Sequence, residues 1–200
     1  MAYLPLEIAE GEFKNLGSSF HARLGPLPSV EGFKAIYEDY KKAFPRADHY
    51  AYAYRKEGLS KSSDDGEPAG SAGRPLLSLL EQKEIDGYVI VARYFGGSKL
   101  GIPRLRRAFL SAAEEAIAKA RFGVEADAYA YHVELDYETY QILLNHAKRH
   151  HFSIEVESFD AKVKAKISSR DILTKAMEEL GFPNLLPEPE TVRIILEEKP

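Results

Sequence analysis

The chain has 200 residues, of which 44% are hydrophobic and 29% are charged, a composition typical of globular proteins with a buried core. It contains no cysteine, which excludes disulfide bonds, a thiol nucleophile and cysteine-ligated zinc. No apolar run reaches the roughly 18 residues that a membrane-spanning helix needs, and the N-terminus lacks the basic and then apolar pattern of a signal peptide. We therefore expect a cytoplasmic protein of one large or two small domains, without a membrane partner.

The net charge of −4 argues against a strongly basic nucleic-acid coat protein, but the charge is unevenly distributed. Residues 1–126 carry 18 basic and 17 acidic side chains, whereas residues 127–200 carry 9 and 14. No acidic residue occurs between Gly87 and Ala113. The basic residues of that stretch are Arg93, Lys99, Arg104, Arg106 and Arg107. The sequence thus predicts one local positive patch in an otherwise acidic molecule.

In chain order, the first half of the sequence predicts three strands and three helices, from apolar periodicity and from capping and proline signals. The predicted strands are 12–24, 49–55 and 87–94, and the predicted helices are 29–44 with Ser29 as N-cap, a short helix near Pro75, and 103–120. Residues 56–73, with four glycines and a proline, predict a loop between them.

The strand over 49–55 places Tyr50, Tyr52 and Tyr54 on one face. Such a face either packs in the core or offers rings on which nucleic-acid bases stack. We favour the core, because aromatic residues suit the half-buried surface of a sheet.

After Gly123 the pattern changes to the order βαββαβ, which is the ferredoxin-like arrangement. The predicted elements are strands over 129–135, 153–159, 162–167 and 192–196, a helix over 137–150 capped by Asp136, and a helix that starts at a capping box of Ser168 and Asp171 and ends at Gly181. We therefore predict an α+β protein with a domain boundary near residue 125, giving domains 1–124 and 125–200.

Three carboxylates lie close together in the predicted loop, at Asp64, Asp65 and Glu67. Oxygen ligands on a flexible turn suit a divalent cation, but acidic residues in a glycine- and proline-rich loop are also good turn formers. Their spacing is not that of a calcium loop, so whether a metal binds stays open, and no cofactor is predicted. The small residues 70–73 that follow allow close backbone approach to an anion, or form a plain entry into the next helix.

The second glycine-rich segment, RYFGGSKLG at 93–101, follows a buried strand and precedes a helix with three arginines near its start. Cations at that end oppose the helix dipole at a cost of about 0.3–1 kcal/mol each, and a bound anion would reverse the penalty. Alternatively, some of the arginines pair with the acidic turn. The candidate anion- or nucleic-acid-binding residues are Arg74, Arg93, Tyr94, Gly96, Gly97, Lys99, Arg104, Arg106 and Arg107.

No catalytic residues are predicted. The sequence has no GxSxG motif and no convincing serine, histidine and aspartate grouping. His146 and His150 lie four residues apart on a predicted helix, but without the glutamate of a zinc-binding HExxH motif a solvated helix face is the favoured interpretation.

Together these segments resemble the YigZ/IMPACT family. SDDGEPAGSAGRP at 63–75 is similar to the family signature DDGEP(A/S)G(T/S)AG(K/R)P, and RYFGGSKLG at 93–101 is similar to RYYGGxxLG. His49 with its tyrosine-rich strand resembles a further family feature. The resemblance implies an N-terminal βαβ domain of the ribosomal-protein and GHMP-kinase type, followed by a ferredoxin-like domain similar to domain V of elongation factor G, as in the bacterial two-domain members. Both folds occur among translation factors and RNA-binding proteins, so RNA or ribosome binding is implied by analogy.

One departure from the family pattern falls inside the positive patch. Family members usually read GTGGLVRAY where residues 101–109 read GIPRLRRAF. Pro103 removes an N–H group that could meet a phosphate, and Arg104 adds a charge. The departure favours recognition by side chains over close approach of the main chain.

The leading hypothesis is a non-catalytic regulatory protein, linked to translation, that binds RNA or a ribosome component through 64–75 and 93–107. The alternative is an enzyme that acts on a phosphorylated small molecule, with a metal ion at the acidic turn. A second alternative is a module that binds a protein partner.

Overall fold

The structure, a computed structural model, describes residues 2–198. These form two units, one of residues 2–124 with 197–198 and the other of residues 125–196. The strands are β1 Tyr3–Pro5, β2 Ala9–Asn15, β3 Ser18–Gly25, β4 His49–Lys56, β5 Leu59–Ser63, β6 Gly87–Tyr94, β7 Phe122–Leu135, β8 Phe152–Phe159, β9 Val163–Ser169 and β10 Glu190–Glu197. The helices are α1 Phe33–Ala43, α2 Gly73–Gln82, α3 Ile102–Lys119, α4 Tyr137–His146 and α5 Thr174–Glu179. Within the described part of the chain, no helix has the length and apolarity to cross a membrane.

An antiparallel sheet in the order β2-β3-β6-β4-β5 organises the first unit. The central strand β6 is buried over all but its last residue, as its continuous apolar run predicted. One face of the sheet packs against α2 and α3 through small and aliphatic side chains, and the other packs against α1. Helices α2 and α3 both begin near the C-terminal end of β6. The two glycine-rich segments, which precede these helices, therefore lie next to each other there.

The tyrosines of β4 belong to the core, as the favoured interpretation held. Tyr50 and Tyr54 are buried in the cluster that contains Phe33 and Tyr40 of α1, and the ring centre of the half-buried Tyr52 lies 4.9 Å from that of Phe33. The alternative of a base-stacking face is therefore wrong.

Two hairpins were missed by the sequence patterns. The single strand predicted over 12–24 is two strands, β2 and β3, joined by Leu16 and Gly17, and both of these residues have a positive φ. The predicted loop 56–73 contains β5, which pairs with β4 through a similar turn at Glu57 and Gly58. Neither turn has the Asn-Gly or Asp-Gly pair that marks a two-residue hairpin most clearly in a sequence.

The predicted helix starts were partly wrong. The Ser29 hydroxyl accepts a hydrogen bond from the Gly32 N–H group at 3.2 Å, but this closes a turn, and α1 begins only at Phe33. The helix α3 begins at Ile102, within one residue of its predicted start.

The second unit has the strand order β10-β7-β9-β8, with the chain order βαββαβ that the sequence predicted, and the α+β fold class is confirmed. Asp136 caps α4 by accepting the Thr139 N–H at 2.7 Å, although α4 ends at His146 rather than at residue 150. The predicted capping box is wrong, because Ser168 lies in β9 and α5 has no side-chain cap.

Candidate binding site

Asp64 fixes the acidic turn to the start of α2. Its carboxylate accepts the N–H groups of Gly70, Ala72 and Gly73 at 2.8 to 2.9 Å. Burial opposes ionisation of this carboxyl group, but the three N–H donors more than offset it and hold its pKa below the ordinary value. The N-cap residue of α2, Ala72, has no side chain that can cap the helix. The Asp64 carboxylate therefore serves as the cap of α2.

We expect Asp64→Ala to lower the free energy of unfolding by about 1–2 kcal/mol at pH 7, the usual cost of losing a helix cap. Because the pKa of Asp64 is lowered on folding, its contribution is present above the unfolded pKa of about 3.9 and is lost as the pH falls through the folded value. Urea denaturation at pH 7 and at pH 3 measures this. The difference between wild type and Asp64→Ala should shrink at acid pH, and a difference that stays constant would contradict the assignment. Asp160→Ala, at an exposed residue, is the matched control.

Asp65 and His49 hold the turn against the end of β4. The Asp65 carboxylate accepts the Tyr50 N–H at 2.6 Å, and its backbone carbonyl lies 2.6 Å from His49 Nδ1. A carbonyl oxygen only accepts hydrogen bonds, so Nδ1 of His49 carries the proton and donates it. In the neutral ring, His49 Nε2 is therefore left as an acceptor.

Glu67 and Arg93 form a buried ion pair that joins the two glycine-rich segments. Nη1 of Arg93 donates to both carboxylate oxygens of Glu67, at 2.7 and 2.8 Å, and their side chains are 8% and 2% exposed. The guanidinium also lies between two rings, 5.6 Å from the centre of Phe20 and 5.4 Å from that of Phe95. For Arg93, the alternative of internal pairing with the acidic turn is therefore the right one.

These contacts leave the acidic turn without a free set of metal ligands. Asp64, Asp65 and Glu67 each already accept hydrogen bonds from backbone or guanidinium donors. Within residues 2–198, no group of three histidine, aspartate or glutamate side chains is placed to hold a metal ion. The residues present thus do not fit the metal-dependent alternative.

Gly96 and Gly97 of the second segment are each required for a different structural reason. A Cβ atom on Gly96 would lie 1.9 Å from the carbonyl carbon of Gly17, so the β2–β3 turn packs directly on the main chain at Gly96. Gly97 faces open space and has a φ of +85°, which a residue without a side chain adopts most easily. Tyr94 of the same segment donates a hydrogen bond to the Pro45 carbonyl at 3.1 Å.

The other predicted cations are exposed. Within the described part of the chain they form no ion pair, and they are Arg74, Lys99, Arg104, Arg106 and Arg107. The N-terminus of α3, where three of them lie, has Gly101 as its N-cap, no side-chain cap and no acidic residue in its first turn. Their role in anion binding stays a prediction.

A cavity of about 480 Å³ lies where the two segments meet. It is lined by Asp48, His49, Glu67, Pro68, Arg93, Phe95, Lys99, Leu100, Gly101, Ile102 and Leu105. Phe95 and Ile102 fall within the predicted segment 93–107 but were not singled out in it, and Asp48 lies outside both predicted segments. Phe95 lies inside the second motif and Asp48 precedes the histidine of the tyrosine-rich strand, so both were adjacent to recognised signals.

Residues 16–117 match the family model of the Impact N-terminal domain, which is just over half of the chain. The chain belongs to the IMPACT family. The resemblance found in the two glycine-rich motifs is thereby confirmed, and both motifs lie inside the matched region. Pro103 and Arg104, where the sequence departs from the pattern that the resemblance implies, also lie inside the matched region.

Relatives in the IMPACT family match over different lengths. A member from Thermus thermophilus is 43% identical over 104 residues, covering 52% of this chain and 56% of that protein. A member from Haemophilus influenzae is 26% identical over 196 residues, covering 95% of this chain and 92% of that protein. The matched part of the chain thus spans little more than half of the Thermus protein and nearly all of the Haemophilus one.

The fold is also similar to that of a solved structure. The crystal structure of a hypothetical protein matches 96% of this chain and 97% of its own, with a TM-score of 0.60 and 21% identity. At that identity the likeness concerns the fold alone.

Proposed function

We propose that this protein is a non-catalytic regulatory protein, linked to translation, that binds RNA or an RNA-containing ribosome component. The binding surface is the cation cluster, defined as Arg74, Lys99, Arg104, Arg106 and Arg107. The observation that carries the proposal is that these exposed side chains have no acidic partner within residues 2–198. The link to translation and a cytoplasmic location belong to the proposal and draw on the folds found among translation factors.

The position of the cluster supports anion binding. Arg104, Arg106 and Arg107 lie in or next to the first turn of α3, where the helix dipole disfavours uncompensated cations. Phosphate groups would meet both the guanidinium groups and the unpaired N–H groups of that turn. Exposed arginines contribute little to folding stability even when they are paired. The accumulation of unpaired arginines at this helix end is therefore better explained by binding than by folding.

The enzymatic alternative is not favoured. It needs a metal ion at the acidic turn, but Asp64 serves as the cap of α2 and Glu67 is paired with Arg93. The acidic segment 64–67 therefore contributes to the proposed function by positioning Arg93 and the start of α2, rather than by touching the RNA.

Binding of single-stranded RNA to wild type, Arg104→Ala and Arg107→Ala tests this proposal. We expect each substitution to weaken binding to all RNA sequences alike, as loss of a phosphate contact does. Lys34→Ala is the matched control, since Lys34 is exposed on α1, across the sheet from α3, and should leave the affinity unchanged. Equal affinities for all four proteins, or no affinity in the wild type at moderate salt, would overturn the proposal.

A further inference from the structure

The cavity between the two glycine-rich segments has an apolar wall that ends at the protein surface. Its apolar lining comes from Pro68, Phe95, Leu100, Ile102 and Leu105. Phe95 and Ile102 are 46% and 55% exposed, although both are large apolar side chains. Exposed apolar groups around a concave opening mark a binding site, and about 480 Å³ is within the range of small-ligand pockets.

Arg93 brings unused hydrogen-bond donors to this cavity. Glu67 takes only Nη1 of the guanidinium. Nε is shielded from solvent and has no partner, and Nη2 makes no hydrogen bond within residues 2–198. Nη2 can donate to a phosphate oxygen in the cavity as a charge-assisted hydrogen bond, and the shielded Nε is a buried donor of the kind that is rarely left unpaired. The free edge of Arg93 therefore indicates an oxygen-bearing anion in the cavity.

The start of α3 supplies a second anion-binding element on the same cavity. Gly101, Ile102 and Leu105 all line it, and the Leu105 N–H is the first to be used inside the helix, by bonding to the Gly101 carbonyl. The N–H groups of Ile102 and Arg104 thus remain for a ligand, whereas Pro103 has none. The positive end of α3 and the Arg93 edge belong to one site.

The remaining polar groups suit a sugar rather than a second anion. Asp48 uses Oδ2 to accept the Phe95 N–H at 2.7 Å, and its Oδ1 is not engaged within residues 2–198. A carboxylate beside a phosphate site commonly accepts ribose hydroxyl groups. His49 Nε2 offers a further acceptor, since Nδ1 is held by the Asp65 carbonyl. The site thus combines an anion locus, hydroxyl acceptors and an aromatic wall.

We infer that this cavity binds one nucleotide, with its phosphate on Arg93 and the α3 N-terminus, its ribose on Asp48 and its base against Phe95 and Ile102. The inference rests on the proposed function and sharpens it, because the nucleotide is one unstacked residue of the RNA that the cation cluster attracts. Bases stack readily on exposed aromatic rings, without strong sequence preference. A bare phosphate would leave the apolar wall unfilled, and a nucleoside would leave Nη2 of Arg93 without an acceptor.

Titration with adenosine 5′-monophosphate, followed by NMR chemical shifts and calorimetry, tests the inference. We expect saturable binding of one nucleotide, with adenosine and inorganic phosphate each at least about tenfold weaker because each fills half of the site. Phe95→Ala should weaken nucleotide binding by about tenfold or more, as loss of a stacking ring does. Leu59→Ala is the matched control, since Leu59 is 61% exposed but lies outside the cavity.

Arg93→Lys adds an independent variant that keeps a positive charge against Glu67 but lacks the planar guanidinium and its Nη2 donor. It should also lose nucleotide affinity, and Phe95→Ala keeps the test valid if Arg93→Lys does not fold. Absence of binding at millimolar nucleotide, or equal binding by wild type and Phe95→Ala, would overturn the inference. If nucleotide binding fails but RNA affinity still depends on Arg104 and Arg107, the proposed function stands and only the inference is wrong. If the protein binds neither nucleotide nor RNA, both the inference and the proposed function are wrong.

Discussion

Arg93→Met is expected to lower the free energy of unfolding by about 3–5 kcal/mol, which is the cost of removing one partner of a buried ion pair. The substitution leaves the Glu67 carboxylate, whose side chain is 2% exposed, without a counter-charge. It also removes the cation that lies between the rings of Phe20 and Phe95. Denaturation with guanidinium chloride at pH 7 measures the change in the free energy of unfolding.

Two further variants decide whether the ion pair is the cause. Arg74→Met alters an exposed arginine and should change the stability by less than about 0.5 kcal/mol. The double variant Arg93→Met with Glu67→Met should recover much of the loss, since an apolar pair can replace a buried ion pair at little cost. A loss below about 1 kcal/mol for Arg93→Met, against the 3–5 kcal/mol of a broken buried pair, would show that Arg93 is not buried against Glu67.

Gly96→Ala is expected to lower the free energy of unfolding by about 3 kcal/mol or more, at or above the upper end of overpacking effects. The added Cβ would lie 1.9 Å from the carbonyl carbon and 2.2 Å from the carbonyl oxygen of Gly17. Both are main-chain atoms of the β2–β3 turn, so no side-chain rotation relieves the collision. Thermal and chemical denaturation should show the loss.

Gly97→Ala is the matched control for this effect. Its Cβ would meet nothing within 4 Å, and only its φ of +85° is unfavourable, at a cost of about 1–2 kcal/mol for a residue with a side chain. Equal losses at Gly96 and Gly97 would mean that the β2–β3 turn does not pack on the second glycine-rich segment.

Much of the fold follows from patterns in the sequence. The short apolar run of 87–94 favours a strand covered on both faces, and β6 is that strand. The order of elements after residue 125 was also readable, because Asp136 and Gly181 mark helix ends by local chemistry. The missed hairpin at Leu16 and Gly17 shows the limit of such patterns. The alternation of inward-facing residues in β2 resumes in β3 and is only shifted by one residue at the turn.

The candidate site was less readable, because its chemistry depends on long-range pairing. The sequence placed acidic and basic residues in two segments, but only folding decides that Arg93 joins Glu67 across 26 positions while Arg104 and Arg107 stay exposed. The acidic turn looked like a ligand set since its backbone donors, such as the Ala72 N–H, carry no signal in the sequence. Burial therefore divides the predicted anion-binding set into a buried arginine held by Glu67 and an exposed set at the surface.

The salt dependence of RNA affinity is the most direct measurement of whether that surface binds phosphates. For single-stranded nucleic acid, log affinity decreases linearly with log salt, and the steepness of that decrease drops by about 0.7 for each phosphate contact removed. Replacement of Arg104, Arg106 and Arg107 together by glutamine should therefore reduce the slope by about 2 relative to the wild type. An unchanged slope, or a wild-type protein without measurable affinity for RNA at low salt, would contradict the proposed function.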